Sequence, residues 1–150
     1  MGSRVPEVIE RLVQLGTADP GLHDVRVSDG PEVTGDTAAD WLVVGFDGDP
    51  QGDFQAAQSV GGWSDLGTGR EEEFQVTVAA IAQRGDTDIP AARRRVYEIA
   101  AHVETWLRED PSVGLRSMQA AIVATQLVQD QSDRGASAVL LLTVAGRAFE

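Results

Sequence analysis

The closing stretch of this chain constrains its fold more than any other part. Residues 117–129 and 136–149 read as two long strands, and the short polar link Asp130–Gly135 joins them as a hairpin. In the second strand one alternate set is Ala138, Leu140, Leu142 and Val144. The other is Val139, Leu141, Thr143, Ala145 and Phe149. Both faces are therefore largely apolar. The partner strand adds Ile122 to one face and Val123 and Leu127 to the other. Helices cover only one face of such a sheet, so something else must cover the second. Two accounts stand: the chain uses its own first helix and the long segment 51–70, or a neighbouring subunit packs there.

The rest of the sequence supplies helices for the first face. Val5, Ile9, Leu12 and Val13 recur at helical spacing, with Pro6 in the first turn and Gly16 as a stop. Asp88 or Thr87 caps a second, longer helix running to about Arg108. Its stripe is Ile89, Ala92, Val96, Ile99, Val103 and Leu107, and Asp110–Pro111 ends it. Residues 23–28, 41–46 and 73–83 read as strands. In the last, Phe74, Val76, Val78, Ala80 and Ala82 alternate with Gln75, Thr77 and Gln83. Residues 56–63 read as an irregular edge strand within a glycine-rich connection. The expectation is one α+β domain over residues 1–150: a mostly antiparallel sheet, two helices packed on one face, and a C-terminal β-hairpin. With 42% hydrophobic residues the chain can fill one core without staples, and it has no cysteine to make one. No apolar run approaches the roughly 18 residues of a membrane span, and no signal peptide is visible.

The net charge is −12, from 24 acids and 12 bases, every base an arginine. This balance argues against gripping nucleic acid, which needs a basic footprint. It suits a surface that nucleic acid slides past, because a negative lining repels phosphates. Arg93, Arg94 and Arg95 fan around the long helix as a solvated face or as partners for a neighbour's carboxylates. Glu71, Glu72 and Glu73 form an exposed strand end or a negatively charged rim or lumen.

Catalytic and metal signatures are weak. Asp47, Asp49 and Asp53, with Gly52, partly echo a calcium loop, but Gln51 and Gln58 stand where that loop needs acids, so a solvated acidic turn is the better account. His23 and His102 are far apart, there is no nucleophile elbow, and the glycine-rich run from Gly61 to Arg70 lacks a P-loop lysine. No cofactor and no enzyme activity are expected. Trp63, in that run, is a loop plug or an anchor for a partner.

Six stretches taken in order resemble a known family. They are Asp29-Gly30-Pro31-Glu32-Val33-Thr34, Asp40-Trp41-Leu42-Val43-Val44-Gly45-Phe46-Asp47 and Glu73-Phe74-Gln75-Val76-Thr77-Val78. Ala92-Arg93-Arg94-Arg95-Val96-Tyr97, Asp110-Pro111-Ser112-Val113-Gly114-Leu115 and the Gln129–Gly135 turn follow. The layout resembles the tail-terminator proteins of long-tailed bacteriophages and prophages of GC-rich Gram-positive bacteria. The resemblance implies a virion structural protein that assembles in the host cytoplasm. It implies a homo-oligomeric ring, usually a hexamer, at the head-proximal end of the tail tube. That ring touches the tail-tube protein and the head–tail connector and lets DNA through without specific binding. A head-closure or other neck protein, and a calcium-dependent binding module on Asp47, Asp49 and Asp53, are the alternatives. The interface candidates are Val139, Leu140, Leu141 and Leu142 with the three arginines.

Overall fold

The computed structural model describes residues 3–31, 38–49, 51–65, 69–133 and 135–149, with backbone only at 62–65 and 69–70. The chain runs α1 (Val5–Ala18), a 3₁₀ turn (Pro20–Leu22), β1 (Arg26–Asp29), β2 (Asp40–Val44), β3 (Ala57–Asp65), β4 (Gly69–Arg84), α2 (Ile89–Glu109), β5 (Met118–Ser132) and β6 (Gly135–Phe149). One sheet has the order β1-β2-β4-β6-β5. β6 occupies one edge of β4 along residues 71–84, and β2 and β3 share the other, opposite residues 78–82 and 69–76. The pairs are antiparallel except β1 with β2, which run parallel. The expected mostly antiparallel sheet therefore holds, with this one parallel pair as its exception, since two short strands carry no signal of their relative direction.

Both helices lie on one face. α2 places Ala92, Val96, Ile99, Val103 and Leu107 on the buried alternate set of β4 and β6. Asp88 starts it, accepting a hydrogen bond from the Ala91 amide at 3.0 Å. Val8 and Leu12 of α1 join the same core over β1 and β2. Gly16 does not stop α1: the helix continues to Ala18, with Asp19 and Pro20 ending it. Gly16 is instead a contact point. A side chain there would meet Val27 Cγ1 at 3.0 Å and Leu42 Cδ2 at 3.4 Å, so its absence lets the helix approach the sheet closely.

Leu140 and Leu142 are only 1% exposed, under α2. Their place in the core corrects their expected role at a subunit interface. The apolar contact they make is with their own helix, and a neighbour could not reach them.

Candidate assembly interface

The face of the sheet turned away from the helices divides into two halves. The half near β2 is covered from within. Between β2 and β3 the chain leaves the sheet and folds back over it. A side chain at Gly48 would meet Val139 Cγ1 at 3.2 Å and Ile81 Cδ1 at 3.4 Å. Under this excursion Ala79 and Val43 are buried, and Val139 and Leu141 are half-buried. Phe46 stacks on Phe54 with ring centroids 5.4 Å apart. The cover thus comes from the stretch that carries Phe46, Gly48 and Phe54; α1 lies on the opposite face.

The other half, where β3, β4, β6 and β5 lie side by side, is open. It forms a trough of about 660 Å³ whose walls include Val60, Gln75, Ala121, Val123, Ala145 and Arg147. The small residues Ala121, Ala145 and Gly146 give it its depth. Val60 is 69% exposed and Val123 61%. Val123 stands out because it is the extra residue of a bulge between Ile122 and Ala124 against β6. Val128 and Phe149 are also exposed large apolar side chains. Sequence reasoning placed Val123 on an apolar face but did not single out Val60, which sits in a run of glycine and serine with no clear alternation.

The charged candidates are mostly committed within the chain. Arg95 does not fan outward. Its Nε donates to Asp40 Oδ2 at 2.9 Å, its other nitrogens to Asp24 at 2.8 Å and Glu98 at 3.1 Å, and Arg84 donates to Asp40 Oδ1 at 2.7 Å. Burial would lower the Arg95 pKa, but the hydrogen bonds to Asp40 and Glu98 and the charges of Asp24 and Asp40 outweigh it and raise the value. Asp40 is buried at the start of β2, facing α2, and therefore draws Arg95 inward. Arg93 donates to Gln129 on β5 at 2.9 Å, and Arg94 is exposed. Glu71 pairs with Arg147, and Glu72 accepts the Arg4 amide at 2.8 Å. These two are therefore structural ties rather than a free rim, and only Glu73 is exposed.

The acidic loop spends its carboxylates on its own backbone. Asp47 accepts the Asp49 amide and Asp49 the Gln51 amide, each at 2.9 Å. Among the described residues no group of three or more His, Asp or Glu is arranged to hold a metal ion. Trp63 lies in β3 opposite Arg70, and its side chain is outside the described residues.

One titratable cluster escaped the sequence reading. Asp19 accepts from His102 Nδ1 and Trp106 Nε1, both at 2.9 Å, and from the Gly21 amide at 2.8 Å. Burial pushes the Asp19 pKa up, but these three bonds outweigh it and hold it below the ordinary carboxylate value. The carboxylate can only accept, so His102 Nδ1 carries a hydrogen. The cluster pins the 3₁₀ turn to α2 across residues too distant in sequence to be paired by pattern.

No family model matches the chain, and no curated protein is similar to it.

Proposed function

We propose that this chain is a structural virion protein of the tail-terminator kind. In this reading it forms a ring at the head-proximal end of a phage tail tube, ends tube polymerisation and offers the joint to the head connector. It has no catalytic role. The observation that supports the reading best is the open half of the sheet face, where exposed Val60 and Val123 line a trough that, among the described residues, gathers no convergent set of reactive groups. Apolar side chains gathered on one exposed face mark a surface that another protein covers. The family resemblance of the sequence supplies the identity of the assembly. The net charge of −12 suits a ring through which DNA passes without being held.

Electron microscopy of particles made without this gene tests the proposal. Tailless heads beside free tubes of uncontrolled length are the expected result. Tailless heads beside free tails of normal length would assign the chain to the head side of the neck instead. Complete, normal particles would overturn both.

A further inference from the structure

We infer that β5 pairs antiparallel with β5 of a second copy about a two-fold axis at Gln126, so that two sheets join into one and the two α2 helices lie side by side above the joint. The inference goes beyond the ring reading and does not rest on it. A ring needs two different patches on each subunit, whereas this contact is self-complementary and leaves the open trough, on the other face, uncovered.

β5 is an edge strand. Natural edges are blunted with charges, prolines, shortness or bulges. From Met118 to Gln129 β5 has neither a charged residue nor a proline, and its one such device is the bulge at Val123. The start of the edge is already closed, because the Ala120 amide donates to the Pro111 carbonyl at 2.8 Å. Beyond the bulge, among the described residues, no backbone hydrogen bond from outside the sheet reaches Ala124–Val128. This stretch also lacks a roof on the helix face. Thr125 and Leu127 stand opposite the buried Leu142 and Leu140, yet Thr125 is exposed and Leu127 only half-buried. Above them lies a groove of about 450 Å³ between α2 and β5, with Tyr97, Ala101, Glu104, Ile122 and Thr125 among its walls.

Strand and helix set the same axis for a second copy. α2 runs antiparallel to β5: Arg93 bonds Gln129 at one end, and Pro111, just past the helix, accepts the Ala120 amide at the other. Arg94, Tyr97, Ala101, Glu104 and Arg108 recur at spacings of three and four as one exposed stripe along the groove side of α2. Two such stripes laid antiparallel about Ile99 set Arg94 against Glu104 twice and Tyr97 against Ala101 twice. Ile99 lies about 9 Å along the helix from Arg93. The same distance back along β5 from Gln129 is about three residues, which is Gln126. Pairing about Gln126 sets Ala124 against Val128 and Thr125 against Leu127 of the second copy, with no charge in the ladder. Glu104 accepts from its own Arg108 through Oε1 at 3.0 Å, which leaves Oε2 for Arg94 of the second copy. α2 packs over β4, β6 and β5, with β6 central, so three strand spacings separate the two helices, about 14 Å. Helices in direct contact lie closer, and Tyr97, 48% exposed, and the long Arg94 and Glu104 side chains span the difference.

The chain has no cysteine, so an introduced one reads this geometry directly. Directly opposed residues of an antiparallel pair fall within disulfide range. The full chain as Gln126→Cys is expected to form a disulfide-linked dimer under mild oxidation, and Val60→Cys, on the far edge, is expected to form none. Both positions are exposed, so both variants are expected to keep the parent circular dichroism spectrum. In analytical ultracentrifugation the parent is expected to show a concentration-dependent dimer. Arg94→Glu and Glu104→Arg should each weaken it roughly tenfold, and the double exchange should restore it. A parent chain monomeric at every concentration, or Gln126→Cys that stays unlinked, would overturn the pairing. A dimer that ignores the single charge changes would overturn its register. Loss of tail-length control on gene deletion without the Gln126→Cys link would remove the pairing and leave the proposed role. The link with intact particles would do the reverse.

Discussion

Replacing Asp40 with alanine tests the account of the charged cluster beneath α2. Asp40 is 8% exposed and holds Arg84 and Arg95 at 2.7 and 2.9 Å. Removing one partner of a fully buried ion pair costs about 3–5 kcal/mol, because the other charge is stranded. Here the loss is smaller. Arg95 keeps Asp24 and Glu98, its side chain is 19% exposed, and that of Arg84 is 28% exposed. A cost of about 2–3 kcal/mol follows from that partial compensation. For a chain of this size each kcal/mol moves Tm by roughly 2–4 °C, so Asp40→Ala should melt roughly 5–10 °C below the parent. Urea denaturation followed by circular dichroism should show a lower midpoint with an unchanged slope. Asp24→Ala serves as the control, since Asp24 is 56% exposed and its pair should contribute no more than about 1 kcal/mol. The double variant Asp40→Ala/Arg95→Ala should cost less than the sum of the single changes. If Asp40→Ala destabilises no more than Asp24→Ala, the cluster is a solvated face and the reasoning fails.

Two further outcomes follow from the packing and the hydrogen bonds. Gly146→Ala should destabilise by about 1–3 kcal/mol in the same urea assay, since the new methyl would sit 2.4 Å from Phe74 Cζ and 2.7 Å from the Gln119 carbonyl oxygen; a neutral result would mean that β5 and Phe74 yield freely. Asp19 has a folded pKa below its unfolded value, so its contribution is present above about pH 4 and is lost as pH falls through the folded value. Asp19→Asn should therefore lower stability at neutral pH and flatten the acid limb of a stability–pH profile, and parallel profiles for the two proteins would refute the role given to its three donors.

Long-period patterns were legible in the sequence and local stops were less so. The α2 stripe and the alternation of β4 fixed both elements, because each repeats over many residues. β4 begins at Gly69, before the expected Glu73, since Arg70 and three glutamates hide the alternation. β3 was legible as an irregular edge strand, and it does carry a register shift between Trp63 and Asp65. Gly16 misled because a glycine after an apolar run signals a helix end, whereas here it serves contact with Val27 and Leu42. Of the interface candidates, Val139 and Leu141 stay on the second face while Leu140 and Leu142 belong to the core. Alternation separates these two sets but does not say which one the helices choose. Arg95 could not be told from Arg93 and Arg94 without knowing that Asp40 lies beneath it.

The excursion between β2 and β3 has both of its ends fastened to one residue. The Gly45 amide donates to the Thr77 carbonyl at 2.7 Å, and the Thr77 amide donates to the Ala56 carbonyl at 3.0 Å. The ladder therefore resumes in step whatever lies between those two points. Residues added near Asp49 would lengthen a loop whose mouth is already closed, at an entropic cost of only about 0.6 kcal/mol for each doubling of its length. That makes this position a natural insertion port. An epitope or fluorophore-binding tag could be carried there without disturbing the strands on either side, provided that Phe46, Gly48 and Phe54 stay to cover the sheet.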